Sequence, residues 1–249
     1  MTNQAKLQDV LSKIKETVAN KKLPIVVFDL DDTLFSTATR DLRIIREFAV
    51  DNADAHPDFA AVAAKMALGD MQWSALNALI GAGLSKDSPS IKPFGDYWLP
   101  TFFSDNYVAK DLPNPGAVDY VNACYDAGAL VFYLTGRHYS DRGMTIGTEQ
   151  GTVRALTTRG FPFWKGRCEL MLKPPHGQKD VIFKANALES VKSLHGQVIA
   201  TFDNEPANCN MFLEHFPDAL NFWLKTTWNP KDDTVIDPRL ITIPNFLTA

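Results

Sequence analysis

Three aspartates, Asp29, Asp31 and Asp32, follow directly on the apolar run "PIVVF". A carboxylate can serve as nucleophile, as general acid or base, or as ligand for a hard cation. Several in a small space resist ionising together unless positive charge neutralises them, and a divalent cation with oxygen ligands does this well. Magnesium is the natural candidate. Aspartates behind a strand also cap turns and helices, so the pair Asp29-x-Asp31 needs support from the rest of the chain.

That support comes from three other segments. "LTGR" ends an apolar run with Thr135, Gly136 and Arg137, a hydroxyl followed by a mobile backbone whose N–H groups can face an anion. "ATFDNEP" ends another with Asp203, Asn204 and Glu205, a further acidic group. Between them Lys173, Lys179 and Lys184 could each offer a cation to phosphate.

These residues need elements to hold them at one edge. "PIVVFDL" is β-branched and apolar on consecutive positions, as in a strand covered on both faces. From Pro113 onward helical and strand patterns alternate: helix "PGAVDYVNACYDAG", strand "ALVFYLTG", helix "TEQGTVRALTTRG", strand "CELMLK", helix "DVIFKANALESVKSLHG", strand "QVIATFDN", helix "EPANCNMFLEHFP", strand "ALNFWLK". Such alternation predicts an α/β fold, a Rossmann-like parallel sheet with helices on both faces and ligands outside the carboxyl ends of the strands. Leu7, Val10, Leu11, Ile14 and Val18 predict an amphipathic N-terminal helix on the core, and Gly128, Gly160 and Gly196 suit helix C-caps. The last stretch, from Thr226, has little periodicity and is expected as coil.

The ordered set "FDLDDTL", "LTGR", a lysine at a helix start and "ATFDNEP" resembles the phosphatase branch of the haloacid dehalogenase superfamily. The resemblance spans residues 25 to 208. It implies that Asp29 attacks phosphorus to form an aspartyl-phosphate, and that Asp31 protonates the leaving group and then activates water. It implies that Thr135, Gly136 and a lysine bind the phosphoryl oxygens, and that Mg²⁺ is held by the Asp29 carboxylate, the Asp31 carbonyl and the Asp203 carboxylate. Lys184, four residues after Asp180, matches the usual position, with Lys173 as second choice. Thr33 would hold the turn, and Asp32 is expected as a helix-capping or solvated carboxylate. Asn204 departs from the commoner acidic residue at its position, so Asn204, Glu205 and Asn208 share the outer metal shell as alternatives. Arg137 either grips a second anionic group of the substrate or holds its loop by a salt bridge. His138 is expected as a surface or packing residue.

The remaining segment changes character. "RDLRIIREFAV", "DFAAVAAKMAL" and "MQWSALNALIGAG" predict helices, with no strong strand signal up to residue 112. The expected division is a catalytic core of residues 1–35 and 113–249 with a helical cap of residues 36–112, where the superfamily places a lid. Phe94, Tyr97, Trp98, Phe102, Phe103 and Tyr107 crowd its end. They are expected mainly as cap core, with a stacking pocket for the leaving group as the sharper alternative.

Composition bounds the function classes. At 249 residues, 45% hydrophobic and 22% charged, the chain reads as an ordinary globular protein. Its net charge of −4 provides no global attraction for nucleic acid or anionic membranes, and the cap segment holds seven basic against ten acidic residues. A small phosphorylated substrate is therefore expected, with nucleic acid disfavoured and no membrane partner. The N-terminal segment lacks an apolar export signal, which makes the cytoplasm the expected location. The cysteines Cys124, Cys168 and Cys209 lack metal or disulfide spacing. The expected function is a magnesium-dependent phosphomonoesterase. A phosphomutase or polynucleotide-end phosphatase of the same fold, and a non-catalytic protein binding metal or phosphate, are the alternatives.

Overall fold

The computed structural model describes residues 2–139, 147–164, 166–174, 178–231 and 233–248. After helix α1 (Asn3–Ala19) and strand β1 (Pro24–Phe28) comes a two-residue strand, β2 (Phe35–Ser36). Helices α2 (Ala38–Asp51), α3 (Pro57–Ala63), α4 (Ala75–Gly81), α5 (Ile91–Phe102) and α6 (Asp105–Val108) follow, then β3 (Leu112–Pro113). The alternating part runs α7 (Ala117–Asp126), β4 (Leu130–His138), α8 (Glu149–Thr158), β5 (Cys168–Lys173), α9 (Asp180–Ser193), β6 (Gln197–Asp203), α10 (Pro206–His215), β7 (Leu220–Leu224) and β8 (Ile241–Ile243).

All five residues of β1 are buried because both faces of its sheet are covered. Val26 and Phe28 pack with Leu7, Val10 and Ile14 of α1 and with residues of α7 and α8, whereas Ile25 and Val27 pack with residues of α9 and α10. This is the two-residue alternation of an extended chain. The sheet order is β5-β4-β1-β6-β7-β8, with every neighbouring pair parallel. The chain runs outward from β1 through β4 to β5, then returns to β6 on the other side. The strand order reverses at β1, and a crevice opens there beyond the carboxyl ends.

Helices α2 to α5 bury a separate apolar cluster around Ile44, Ile45, Phe48, Phe59, Leu79 and Phe94. Its base is tied down by the antiparallel pair β2–β3 and by α6, where Asp105 accepts from the Gly151 N–H of α8. Strands of two residues carry no periodicity, which explains why the sequence showed none there. The aromatic stretch forms α5, with Pro93 in the first turn, where the lost N–H has no intrahelical partner, and Pro100 near the end.

Two expectations need correction. The C-terminal stretch is not all coil, since β8 pairs with β7 at the sheet edge. Gly128 and Gly160 take left-handed backbone after α7 and α8, but after α9 His195 does so, at φ 53°. Gly196 answers a different need: a Cβ there would stand 2.7 Å from the Leu23 carbonyl oxygen and from the Ile25 side chain.

Candidate active site

The ends of β1, β4 and β6 and the first turn of α9 meet at one cleft of about 480 Å³. Its lining includes Asp29, Asp31, Thr135, Gly136, Lys173, Lys184, Asn204 and Asn208. Asp203 and Arg137 lie just beneath, buried.

At the floor Lys184 Nζ donates to Asp29 Oδ1 and to Asp203 Oδ2, each at 2.7 Å. All three residues are buried. Lys184 reaches this point because α9 lies on the sheet through Phe183, Ala187, Leu188 and Val191, which carries its first turn to the strand ends. Burial works against the ammonium, but Asp203 and Asp29 outweigh it, so the amine is held protonated well above its usual range. Burial pushes the Asp29 carboxyl well up, opposed by Lys184 and reinforced by the Asp203 charge. Two buried carboxylates facing one ammonium leave the floor short of positive charge.

That shortage is the feature a magnesium site needs. Mg²⁺ is commonly bound by one or two carboxylates, with waters and substrate phosphate completing its shell. No three metal-ligating side chains gather among the described residues. The two carboxylates at the floor, Asp29 and Asp203, would suit that pattern. Asp203 is oriented through its Oδ1 by the Glu205 N–H at 2.9 Å and Asn208 Nδ2 at 3.2 Å. Asn204 is used otherwise: its Oδ1 accepts from the Thr33 hydroxyl at 3.1 Å, pinning the turn after β1 to the end of β6.

In that turn Asp32 adopts left-handed backbone, φ 54°, a conformation aspartate tolerates better than most residues. Its carboxylate accepts from the Thr37 N–H and hydroxyl just ahead of α2, so it serves the helix start but is half-buried rather than solvated. Burial raises it to about 6.

Asp31 has partners that sequence reasoning did not identify. Its Oδ1 accepts from Arg137 Nη2 at 2.6 Å, Arg137 Nε at 3.0 Å and Arg40 Nη2 at 3.0 Å. Both guanidiniums also bond to buried Asp111, at 2.7 Å from Arg137 Nη2 and 3.0 Å from Arg40 Nε. Burial alone would raise the Asp31 carboxyl, but Arg137 and Arg40 override it and hold it well below the usual carboxylate range. Arg137 thus holds the loop; its guanidinium is committed to Asp31 and Asp111. Arg40 had one legible signal: Arg40 and Asp41 extend the apolar stripe of Ile44, Ile45 and Phe48 back by a turn, and charged residues on such a stripe need partners. Nothing in the local sequence marks Asp111.

Thr135 is buried, and its Oγ accepts from the Arg137 N–H at 3.2 Å, leaving its own proton to donate. A Cβ on Gly136 would lie 2.3 Å from an oxygen of Asp180, so any larger residue would displace that carboxylate. Asp180 accepts from Lys173 Nζ at 3.0 Å and stands 3.8 Å from Lys184 Nζ. Lys173 is therefore at the rim, one residue removed from the floor. Glu205 precedes α10 and accepts from the Asn229 N–H; burial, foremost, raises it to about 7. Trp73, Trp98, Phe102, Phe103 and His138 complete the wall.

No protein-family model matches the chain. No curated protein matches it either. Among solved structures, it is similar to a haloacid dehalogenase-like hydrolase from Burkholderia xenovorans LB400, at 14% identity and a TM-score of 0.49, covering 90% of this chain and 94% of that one. A haloacid dehalogenase-like family hydrolase from Streptococcus pneumoniae gives 11%, 0.48, 88% and 93% in the same order. A class C acid phosphatase from Bacillus anthracis with tungstate bound gives 16% identity and a TM-score of 0.38; 81% of this chain is covered, but it spans only 62% of that protein.

Proposed function

We propose that the protein is a phosphohydrolase of the haloacid dehalogenase type, acting on a small phosphorylated substrate through an aspartyl-phosphate on Asp29. The observation that carries this is the buried Asp29–Lys184–Asp203 group at the carboxyl ends of β1 and β6, facing the same cleft as Thr135. With Oδ1 of Asp29 held by Lys184, Oδ2 is the attacking atom. The Thr135 hydroxyl, the Gly136 N–H and Lys184 receive the phosphoryl oxygens and stabilise charge that develops in the transition state. The Asp29 and Asp203 carboxylates and the Asp31 carbonyl would hold magnesium, which would supply the positive charge the floor lacks.

Asp31 works at the other side of the phosphoryl group. All three of its bonds to arginine fall on Oδ1, which leaves Oδ2 for the substrate oxygen or the attacking water. Its lowered carboxyl keeps it ionised at neutral pH, the state required for the base half of its expected role, the removal of a proton from the water that cleaves the aspartyl-phosphate. Residues 36–112 act as a cap: their Arg40 reaches Asp31, and their aromatic residues close the cleft. The acidic balance of the cap opposes long polyanions. Among the described residues no helix is long and apolar enough to cross a membrane.

The test is hydrolysis of phenyl phosphate with and without Mg²⁺, by wild type and Asp29→Asn together. Turnover that needs both the metal and Asp29 is expected. Full activity in Asp29→Asn would overturn the assignment of the nucleophile.

A further inference from the structure

Four aromatic side chains, Trp73, Trp98, Phe102 and Phe103, line the cleft that has Asp29 and Thr135 at its floor. Packing accounts for Phe94 and Tyr97 outright; Trp98, Phe102 and Phe103 also pack in the apolar cluster of α2 to α5, but they line the cleft as well. Packing does not account for Trp73, which is 44% exposed and lines the cleft, with its side chain hydrogen-bonded to Glu205. A ring used only for packing is buried, since its stabilising effect scales with the area removed from water.

The other three rings are pre-organised. Trp98 and Phe102 stack at 4.6 Å, and Phe103 stands edge-on to Phe102 at 5.0 Å. The Trp98 indole is fixed by donating to Asp41 at 2.6 Å, and Phe102 is backed by the Arg40 guanidinium at 4.3 Å. Beside them His138 lies 5.6 Å from Phe103, and its buried Nδ1 has no partner among the described residues. Burial, with Lys173 nearby, lowers the imidazole's pKa and so keeps it neutral near pH 7.

Cations are scarce in the lining. The lysines there are Lys184 and Lys173, bonded to Asp29 and Asp203 and to Asp180. Among the described residues of the lining, a second phosphate on the leaving group would meet no lysine or arginine that is not already paired with a carboxylate.

Building on the phosphatase reading, we infer that the substrate is a monophosphate ester whose uncharged or cationic leaving group carries a flat aromatic ring, held against Trp73 and the Trp98–Phe102–Phe103 wall. Two kinds of compound share this chemistry: an aryl phosphate, with its ring next to the ester oxygen, and a nucleoside monophosphate, with its ring one sugar away.

Binding to the Asp29→Asn protein tests this without depending on turnover. Phenyl phosphate, adenosine 5′-monophosphate, adenosine 5′-diphosphate and glycerol 3-phosphate are titrated calorimetrically with Mg²⁺ present. At least one aromatic monophosphate is expected to bind about tenfold or more tightly than glycerol 3-phosphate, the scale of one stacking contact. Adding Trp73→Ala, at an exposed position that the core does not need, should remove most of that preference, and the diphosphate should bind no tighter than the monophosphate. Equal affinity for glycerol 3-phosphate, or an equal loss for all ligands in the Trp73→Ala protein, overturns the inference. Turnover by wild type, measured in parallel, separates the two readings. Aromatic preference in binding without hydrolysis of any ester refutes the phosphatase and leaves the pocket standing; hydrolysis without preference does the reverse.

Discussion

Replacing Arg40 by methionine keeps an apolar stem in place and deletes one charge from a closed group of two guanidiniums and two carboxylates. In wild type that group is neutral. The side chains of Arg40 and Asp111 are fully buried and that of Arg137 nearly so, with only Asp31 reaching solvent at 29%. Each contact near 3 Å is worth on the order of 4 kcal/mol at the effective dielectric of about 20 that suits protein sites, before desolvation is counted. The deletion leaves Asp31 and Asp111 sharing Arg137, an uncompensated buried negative charge, for which losses of about 3–5 kcal/mol are typical. Loss of the stack on Phe102 adds about 1 kcal/mol. We expect Arg40→Met to lose roughly 4 kcal/mol in urea unfolding followed by tryptophan fluorescence at constant slope. The double variant Arg40→Met/Asp111→Asn restores neutrality around the Asp31–Arg137 pair and should lose clearly less than the two single losses added together, a coupling of about 2 kcal/mol. A single-variant loss below about 1 kcal/mol, with additive effects in the double variant, would refute the electrostatic account of this group. Turnover should fall in both variants, because Asp31 loses one of the two side chains that fix its Oδ1.

Two further predictions follow from other parts of the site. Gly136→Ala drives the Asp180 carboxylate aside and so releases Lys173; because a movable side-chain end gives way, stability should fall by only about 1 kcal/mol, while kcat/KM falls at least tenfold. A larger drop in melting temperature with kcat/KM unchanged would show that Gly136 serves folding and not the site. Burial raises Asp41 from the ordinary 3.8 to about 7, so the folded state binds its proton more tightly than the unfolded chain. Its contribution is present below pH 4 and is lost as pH rises towards 7, by at most about 4 kcal/mol. Asp41→Asn should therefore flatten the decline of stability between pH 4 and 7, and an unchanged slope counts against a buried, proton-holding Asp41.

Much of the architecture is legible because it is written locally. The apolar run at β1, the strand limits of "CELMLK" and the helix carrying Asp180 and Lys184 follow from periodicities of two and of 3.6 within single segments. Elements too short to show a period, β2, β3 and β8, were illegible for the same reason. The aromatic stretch ending in Phe103 shows a subtler limit. Its composition speaks of burial, but which rings face the cap core and which face the cleft depends on how α5 sits over the sheet edge.

The sequence by itself determined that Asp29, Asp31, Thr135 and Asp203 stand at strand ends, since parallel strands joined by helices all point their carboxyl ends to one edge. Only the tertiary structure decided how their charges are balanced. It brings Lys184 to the floor and leaves Lys173 with Asp180 at the rim, because α9 buries Lys184 against the sheet while Lys173 ends the edge strand β5. It joins Arg40 to Asp111 across 71 positions and Arg137 to Asp31 across 106. Chain patterns encode which face of an element is apolar; the partner of a buried charge is set by three-dimensional proximity, and no local period records it.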